Sequence, residues 1–456
     1  MLVAISDLHL TDCSTSTNPH STAIELLMKE LEANLEAKEA KEIRFLLLGD
    51  IFDLVRTDYW HREAIPAGKR PWGGTLDRAT GMNTDPDVER QFQEVLAGVL
   101  RSQSSVALID GIKKMAQGDL PTSVHYVRGN HDRVLNNFPS LEQQIVAAFH
   151  PVPVEFSNEL HAPDYAVFAR HGHQWDEQCH GWHFLTKVLD KRSKAKRFDP
   201  ETYRVMAIGE VVTAELMSGF VFHVTEKLGP GNTFRDLCAE VNNVRPMQHA
   251  VAWLTWLLRD LDQNGEFDTN IEAAKDAFRK ALDGILDCSL AKEWDSVKRD
   301  WIFSGDLTDY LSKARAILNN RQRGLDWLQT LIRLFEGLQN ALTAVTGHRE
   351  DEYYKGAAGE LGGKDLPAGV QYLLYGHTHS ARQNCITAER NGSVKMYVNT
   401  GTFLPLIEHA DDGKSYFRSN RMTFICFYRK DEDTSRRKGD GPTMDVWDGM
   451  KRKDYL

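Results

Sequence analysis

Six cysteines (Cys13, Cys179, Cys238, Cys288, Cys385 and Cys426) are scattered over 456 residues with no CxxC pair. Neither a zinc knuckle nor a disulfide framework is therefore expected to organise the fold. The opening Met1-Leu2-Val3-Ala4-Ile5 carries no basic n-region and no long apolar run. Neither a transmembrane helix nor a signal peptide is expected, and a cytoplasmic location with reduced thiols follows; peripheral contact with a membrane stays open. A basic surface is lacking too: the formal charge of −10 disfavours a general nucleic-acid binder, which must neutralise phosphates. No internal repeat stands out. With 41% hydrophobic and 26% charged residues, the composition is that of an ordinary globular protein with a sizeable core. At this length one elaborated domain, or a core with an inserted module, is expected.

What the chain does have is a repeated local grammar, in which short apolar runs end abruptly in polar, potentially metal-binding residues. Leu2–Ile5 leads into Ser6-Asp7-Leu8-His9, Phe45–Leu48 into Gly49-Asp50, and Val124–Val127 into Arg128-Gly129-Asn130-His131-Asp132. Later, Tyr165–Ala169 leads into Arg170-His171-Gly172-His173, Tyr372–Tyr375 into Gly376-His377-Thr378-His379, and Met396–Val398 into Asn399-Thr400-Gly401-Thr402. Strands carrying a site at their C-terminal ends are expected. Ala23–Ala37 and Val88–Met115 have helical spacing, so the alternation predicts a layered α/β fold.

Between about 176 and 365 long helical patterns replace the strand units. Leu325, Leu328, Leu331, Ile332, Phe335, Leu338 and Leu342 share one helical face, and Ile271, Ala274, Phe278, Leu282 and Ile285 another. The reading is a core of 1–175 and 366–430, a helical insertion of 176–365, and a polar, loosely ordered tail of 431–456 after a last strand, Met422–Tyr428.

The polar strand ends offer the ligand set of a two-metal centre: carboxylates, imidazoles and an amide, with one carboxylate needed as a bridge. Asp7 and His9 stand two apart, so on an extended strand they project to the same side. Asp50, after a glycine that allows a sharp turn, could bridge two ions. Asn130 offers a neutral oxygen, and His171, His377 and His379 offer imidazoles. In Arg170-His171-Gly172-His173 either imidazole could serve.

Taken in order, Asp7-Leu8-His9, Gly49-Asp50, Gly129-Asn130-His131-Asp132, His171-Gly172 and Gly376-His377-Thr378-His379 resemble the calcineurin-like metallophosphoesterase superfamily. The resemblance covers residues 1–175 and 366–430. It implies a four-layer α/β/β/α sandwich with a dinuclear centre at the sheet edge. Asp7, His9, Asp50 and His379 would hold one ion, and Asp50, Asn130, His171 and His377 the other. The implied activity is hydrolysis of a phosphodiester or pyrophosphate by attack of a metal-bound hydroxide. His131 would donate a proton to the leaving oxygen, with Asp132 orienting its ring. Two divalent cations are implied, manganese first, with iron, zinc or magnesium compatible. His171 is the favoured ligand because it precedes the glycine. His173 then becomes a supporting or substrate-facing residue, Arg128 and Arg133 could hold phosphate oxygens, and Asp53 is expected to buttress the site by hydrogen bonding.

The expected partner is a phosphorylated small molecule or a lipid-linked substrate. The rival readings are a nuclease or a protein or phosphomonoester phosphatase of the same fold, and, in another class, a non-catalytic scaffold. Asp260-x-Asp262-x-Asn264-Gly265 opens like an EF-hand loop, but Ile271 stands where the twelfth-position acid is required, so an interhelical turn is the reading. The basic run Lys187–Arg197 is read as a solvated face, and Trp253-Leu254-Thr255-Trp256-Leu257-Leu258 as packing within the insertion.

Overall fold

The computed structural model describes residues 1–229, 231–245, 249–261, 267–295, 307–319, 326–333, 349–388, 394–412, 414–434 and 441–453. They form a mixed α/β fold with two sheets. The strands are β1 (Leu2–Ile5), β2 (Ile43–Leu48), β3 (Thr122–Val127), β4 (Val154–Ser157), β5 (Glu159–Ala162), β6 (Val167–Arg170) and β7 (Val244–Arg245). β8 (Tyr372–Tyr375), β9 (Arg382–Ala388), β10 (Val394–Asn399), β11 (Pro405–His409), β12 (Tyr416–Tyr428) and β13 (Thr443–Lys453) complete them.

The first sheet runs β4-β3-β2-β1-β12-β11-β7, with β13 paired along β12. Its β1, β2, β3 and β4 are mutually parallel, and β12 is antiparallel to β1. The second runs β5-β6-β8-β10-β9, parallel through β6, β8 and β10 and antiparallel at its edges.

Period-two alternation divides the strand residues between two cores. Leu2, Ala4, Leu46, Leu48 and Val127 of the first sheet cluster with Val167, Ala169, Leu374 and Val398 of the second. Their neighbours Val3, Ile5, Phe45, Leu47 and Tyr126 pack with Ile24, Leu27 and Leu31 of helix α1 (Ser21–Ala37). With both faces covered, these strands read as continuous apolar runs. On the other face of the second sheet, Phe168, Leu373, Tyr375 and Tyr397 meet Ala357 and Leu361 of the helix Arg349–Gly362.

Three expectations are corrected. The single helical stretch Val88–Met115 is two helices, α2 (Val88–Leu100) and α3 (Gln103–Met115), bent by 74°. Ser102 starts the second by accepting from the Ser105 N–H, an N-cap inside an apolar pattern that periodicity alone overlooks. Within the tail, Thr443–Lys453 is not loose but pairs antiparallel with β12 over eleven positions, hidden from a sequence reading by its charges. Nor is 176–365 wholly helical: β7 adds to the first sheet beside β11.

The buried Phe220, Val224, Trp253, Leu254 and Leu282 of the helical region belong to the same hydrophobic cluster as Val3 and Leu27. The Trp253–Leu258 stretch is core, as expected, within the helix Ala250–Asp260. Lys187, Lys191, Arg192, Lys194 and Lys196 are exposed, which fits a solvated face. Among the described residues one helical run, 200–228, has the length and hydropathy of a membrane span, and 67% of its most apolar window is buried in the protein. Asp262, Asn264 and Gly265 of the EF-hand-like opening, and Leu325, Phe335, Leu338 and Leu342 of one apolar face, lie outside the described residues.

Candidate metal centre

The parallel runs β1-β2-β3 and β6-β8-β10 each bring their C-terminal ends out on one side, which gathers the polar strand ends. The backbone there is strained. Among the described residues nine non-glycine positions have positive φ, and five of them are Asp7 (52°), His9 (41°), Asp50 (54°), His377 (68°) and His379 (60°). Left-handed backbone at non-glycine residues is costly and concentrates where side chains must converge. Asp7 and His9 therefore do not share a strand face as expected. β1 stops at Ile5, and the two residues are aimed by turns anchored through Asp7 N–H to Gly49 O (3.1 Å) and His9 N–H to Asp50 O (2.8 Å). At Gly49, φ is 80° and an added Cβ would fall 2.4 Å from His171 Nδ1, so no larger residue lets the two strand ends meet.

The convergence brings together the expected ligands in two groups. Asp7, His9 and His379 can present ligand atoms to one ion, and Asp50, His171 and His377 to another. In the first, His379 Nε2 lies 3.1 Å from His9 Nε2 and 3.5 Å from Asp7 Oδ1. Asp50 Oδ2 sits between the groups, 3.6 Å from His9 Nε2 and 3.2 Å from His171 Nε2. Asp7 Oδ1 and Asn130 Oδ1 are buried without a hydrogen-bond partner. Orphaned buried acceptors normally carry a desolvation penalty, and a shared cation would remove it. The residues thus fit a metal ion, whose identity the mixed oxygen and nitrogen ligands leave open among manganese, iron, zinc and magnesium.

The protein's own charges point the same way. Burial drives His9 down to about 3, with Arg56 adding to the fall, so its imidazole is neutral as a ligand must be. Burial and the Arg245 cation likewise hold His379 well below the ordinary value. Burial pushes Asp7 up to about 6, a sign of a carboxylate crowded by its site. His171 is raised to about 10, because Asp50 and Asp7 outweigh the effect of burial. Ligation of His171 would release that proton.

The orientation of His131 is a correction. Its Nδ1 lies 2.8 Å from Asp53 Oδ2, not against Asp132. Asp132 instead ties down the loop, accepting from the Tyr126 hydroxyl (2.6 Å) and from the Gly129 (2.5 Å) and Ile51 (3.1 Å) N–H groups. Adjacency in sequence misled because the Asp132 side chain turns back on its own loop. Asp53 buttresses as expected: the same Oδ2 also lies 2.9 Å from His9 Nδ1 and 3.3 Å from Arg56 Nε. Burial opposes a charge on His131, but Asp53 and Asp50 prevail and raise its pKa.

Neither arginine offered as a phosphate holder is available for that task. Arg128 Nε donates to Glu142 (2.9 Å), and its guanidinium lies over Phe156. Arg133 is buried and forked onto Glu210, with Nε–Oε1 2.8 Å and Nη2–Oε2 3.1 Å. His173 stands behind the centre, its ring 5.4 Å from that of His171 and 5.3 Å from that of His180. It is buried, and burial and His180 hold it far below the ordinary value, so its ring is neutral.

Four participants were not anticipated. Arg56 closes on Asp53, and Asp176 Oδ2 lies 3.7 Å from His377 Nε2, forming with Cys179 another group able to hold an ion. Thr402 Oγ1 donates to the Asp7 carbonyl (2.7 Å), giving the late Asn399–Thr402 segment a bracing role. Arg245, from β7, places Nη2 3.0 Å from His379 Nδ1. A guanidinium only donates, so Nδ1 accepts and a neutral His379 carries its proton on Nε2. A cation at Nε2 therefore requires the other tautomer and a shift of Arg245. Arg56, three residues past Asp53, and Thr402, in the polar end of the Met396–Val398 run, left a signal in the sequence. Compared with family models, curated proteins and solved structures, the chain matches none.

Proposed function

We propose that this protein is a dinuclear-metal-dependent phosphohydrolase that cleaves a phosphodiester or pyrophosphate. The observation that carries the reading is the position of Asp50, one carboxylate oxygen between two imidazole-bearing ligand groups, where a bridging ligand belongs. The resemblance of the strand-end motifs to calcineurin-like metallophosphoesterases supports it. So does the layering, with helices over one sheet, an apolar seam between the sheets and the helix Arg349–Gly362 over the other. We read this as the four-layer α/β/β/α sandwich of that family.

Two divalent cations, manganese foremost, would supply charge to offset the phosphoryl oxygens and would acidify water at neutral pH. Asp7, His9, Asp50, Asn130, His171, His377 and His379 would hold them. The chain's own part is proton handling and alignment. Asp53 fixes His131 with Nδ1 as the donor, leaving Nε2 to carry a proton to the departing oxygen. Burial opposes a charge on His131, but Asp53 and Asp50 raise its pKa, which favours the protonated form a donor needs. The same carboxylate orients His9, so proton donor and metal ligand share one support.

The test is an assay of purified protein with each of manganese, iron, zinc and magnesium against 4-nitrophenyl phosphate, bis(4-nitrophenyl) phosphate, a pyrophosphate and single-stranded DNA. Metal-dependent cleavage of the diester or pyrophosphate is expected. His131→Ala should lower kcat by about 10²–10⁴-fold with bound metal unchanged, while Asn130→Ala should lose metal by equilibrium dialysis. No turnover of any substrate with any of the four metals would refute the proposal.

A further inference from the structure

Beside His379 a cleft of about 390 Å³ opens between the turn after β8 and the outer part of the first sheet. Two cross-strand pairs build it: Arg245 of β7 opposite Glu408 of β11, and Thr423 of β12 opposite Asp448 of β13. Arg421 stands two residues before Thr423 on β12, hence on the same face. Its Nη2 donates to Glu408 Oε2 at 3.1 Å, and Thr423 Oγ1 donates to Asp448 Oδ1 at 2.9 Å. The volume suits one small organic group.

The lining discriminates by chemistry. Its two guanidiniums and two carboxylates cancel, so the cleft offers no net attraction to a second phosphate, which would have to lie beside Glu408 and Asp448. An alkyl chain would strip water from the same charged groups and return no hydrogen bonds. Hydroxyls satisfy both kinds of group, donating to the carboxylates and to Thr423 Oγ1 and accepting from Arg245 and Arg421. Arg245 joins cleft and centre, since it lines the one and touches His379 of the other. We infer that this cleft seats the group attached to the phosphoryl being cleaved, and that this group is uncharged and rich in hydroxyls, a sugar or another polyol. The inference rests on the phosphohydrolase reading and narrows it away from lipid-linked substrates.

Three non-hydrolysable probes test it by calorimetric titration of the manganese-loaded protein: a glucosyl methylphosphonate, octylphosphonate and methylenediphosphonate. The glucosyl probe should bind about 10-fold tighter than either of the others, and Asp448→Asn or Thr423→Val should each remove most of that preference. Equal binding of the three probes overturns the assignment. So does tighter binding of the octyl or diphosphonate probe, or a preference that survives both substitutions. Hydrolysis of bis(4-nitrophenyl) phosphate, which has no hydroxyls, is followed in parallel. Cleavage without the sugar preference sinks the cleft and keeps the reaction, whereas the sugar preference without cleavage sustains the cleft and sinks the reaction.

Discussion

At the scale of single residues, Asp53 supports two side chains of the candidate centre at once, His9 and His131. One of its oxygens meets both His9 Nδ1 and His131 Nδ1, while the other accepts from the N–H groups of Val55 (2.9 Å) and Arg56 (3.0 Å). Asp53→Asn keeps the shape and removes the charge that fixes both rings. It should lower metal affinity or turnover by about 10–100-fold. Asp132→Asn should act mainly on stability, because that side chain holds Tyr126, Gly129 and Ile51. Turnover, metal content and urea midpoints of the two variants decide it; an Asp132→Asn variant that loses turnover at full stability, beside a normal Asp53→Asn, would reverse the assignment. The residues that converge at the candidate centre were legible in the sequence because each closes an apolar run. Their aim was not, since the left-handed backbone of Asp7 and His9 depends on contacts with the end of β2 that spacing does not encode. Arg245 left no trace at all, being brought to His379 across 134 positions by a two-residue strand.

At the scale of elements, the turn after β3 is clamped to the helical region by Arg133. Its guanidinium engages both oxygens of Glu210 and also donates to Asn137 Oδ1 (2.8 Å) and the Arg204 carbonyl (2.8 Å). Both partners are buried, at 2% and 5% exposure, so removing one strands the other's charge in the interior. Glu210→Ala should destabilise the protein by about 3–5 kcal/mol, whereas Arg133→Met with Glu210→Met should recover most of that loss. A double-mutant cycle from urea unfolding measures the coupling. A single variant within about 0.5 kcal/mol of wild type would show the clamp to be idle. This clamp explains why an arginine beside the Asn130-His131 motif looked like a phosphate ligand: its sequence neighbours belong to the site, and its partner lies 77 residues away. Elements with long, regular apolar patterns were read correctly as to kind, including β1, β8 and α1. β7 and β13 were missed because they are held by pairing and carry little apolar pattern of their own.

For the whole molecule, buried neutral histidines tie the fold to pH. His61 sits among helices with Nε2 donating to the Ala214 carbonyl (2.9 Å), and His180 Nε2 donates to the Arg197 carbonyl (2.7 Å). Burial drives each down to about 4. In the unfolded chain both return to about 6.5. Between these values the unfolded state binds protons that the folded state refuses, so stability is complete above about pH 6.5 and falls as pH drops towards 4. At pH 5 each histidine removes about 2 kcal/mol relative to pH 7.5. That is a large share of a typical margin of about 5–15 kcal/mol. Neither residue belongs to the candidate centre, so the loss should persist in metal-free protein. Urea unfolding in chelator at pH 7.5 and pH 5 measures it. A His61→Gln, His180→Gln double variant, with amides that can donate to the same carbonyls, should lose about 4 kcal/mol less between the two pH values than wild type does. If the two proteins decline in parallel, the acid sensitivity belongs to other groups and the two buried imidazoles do not govern it.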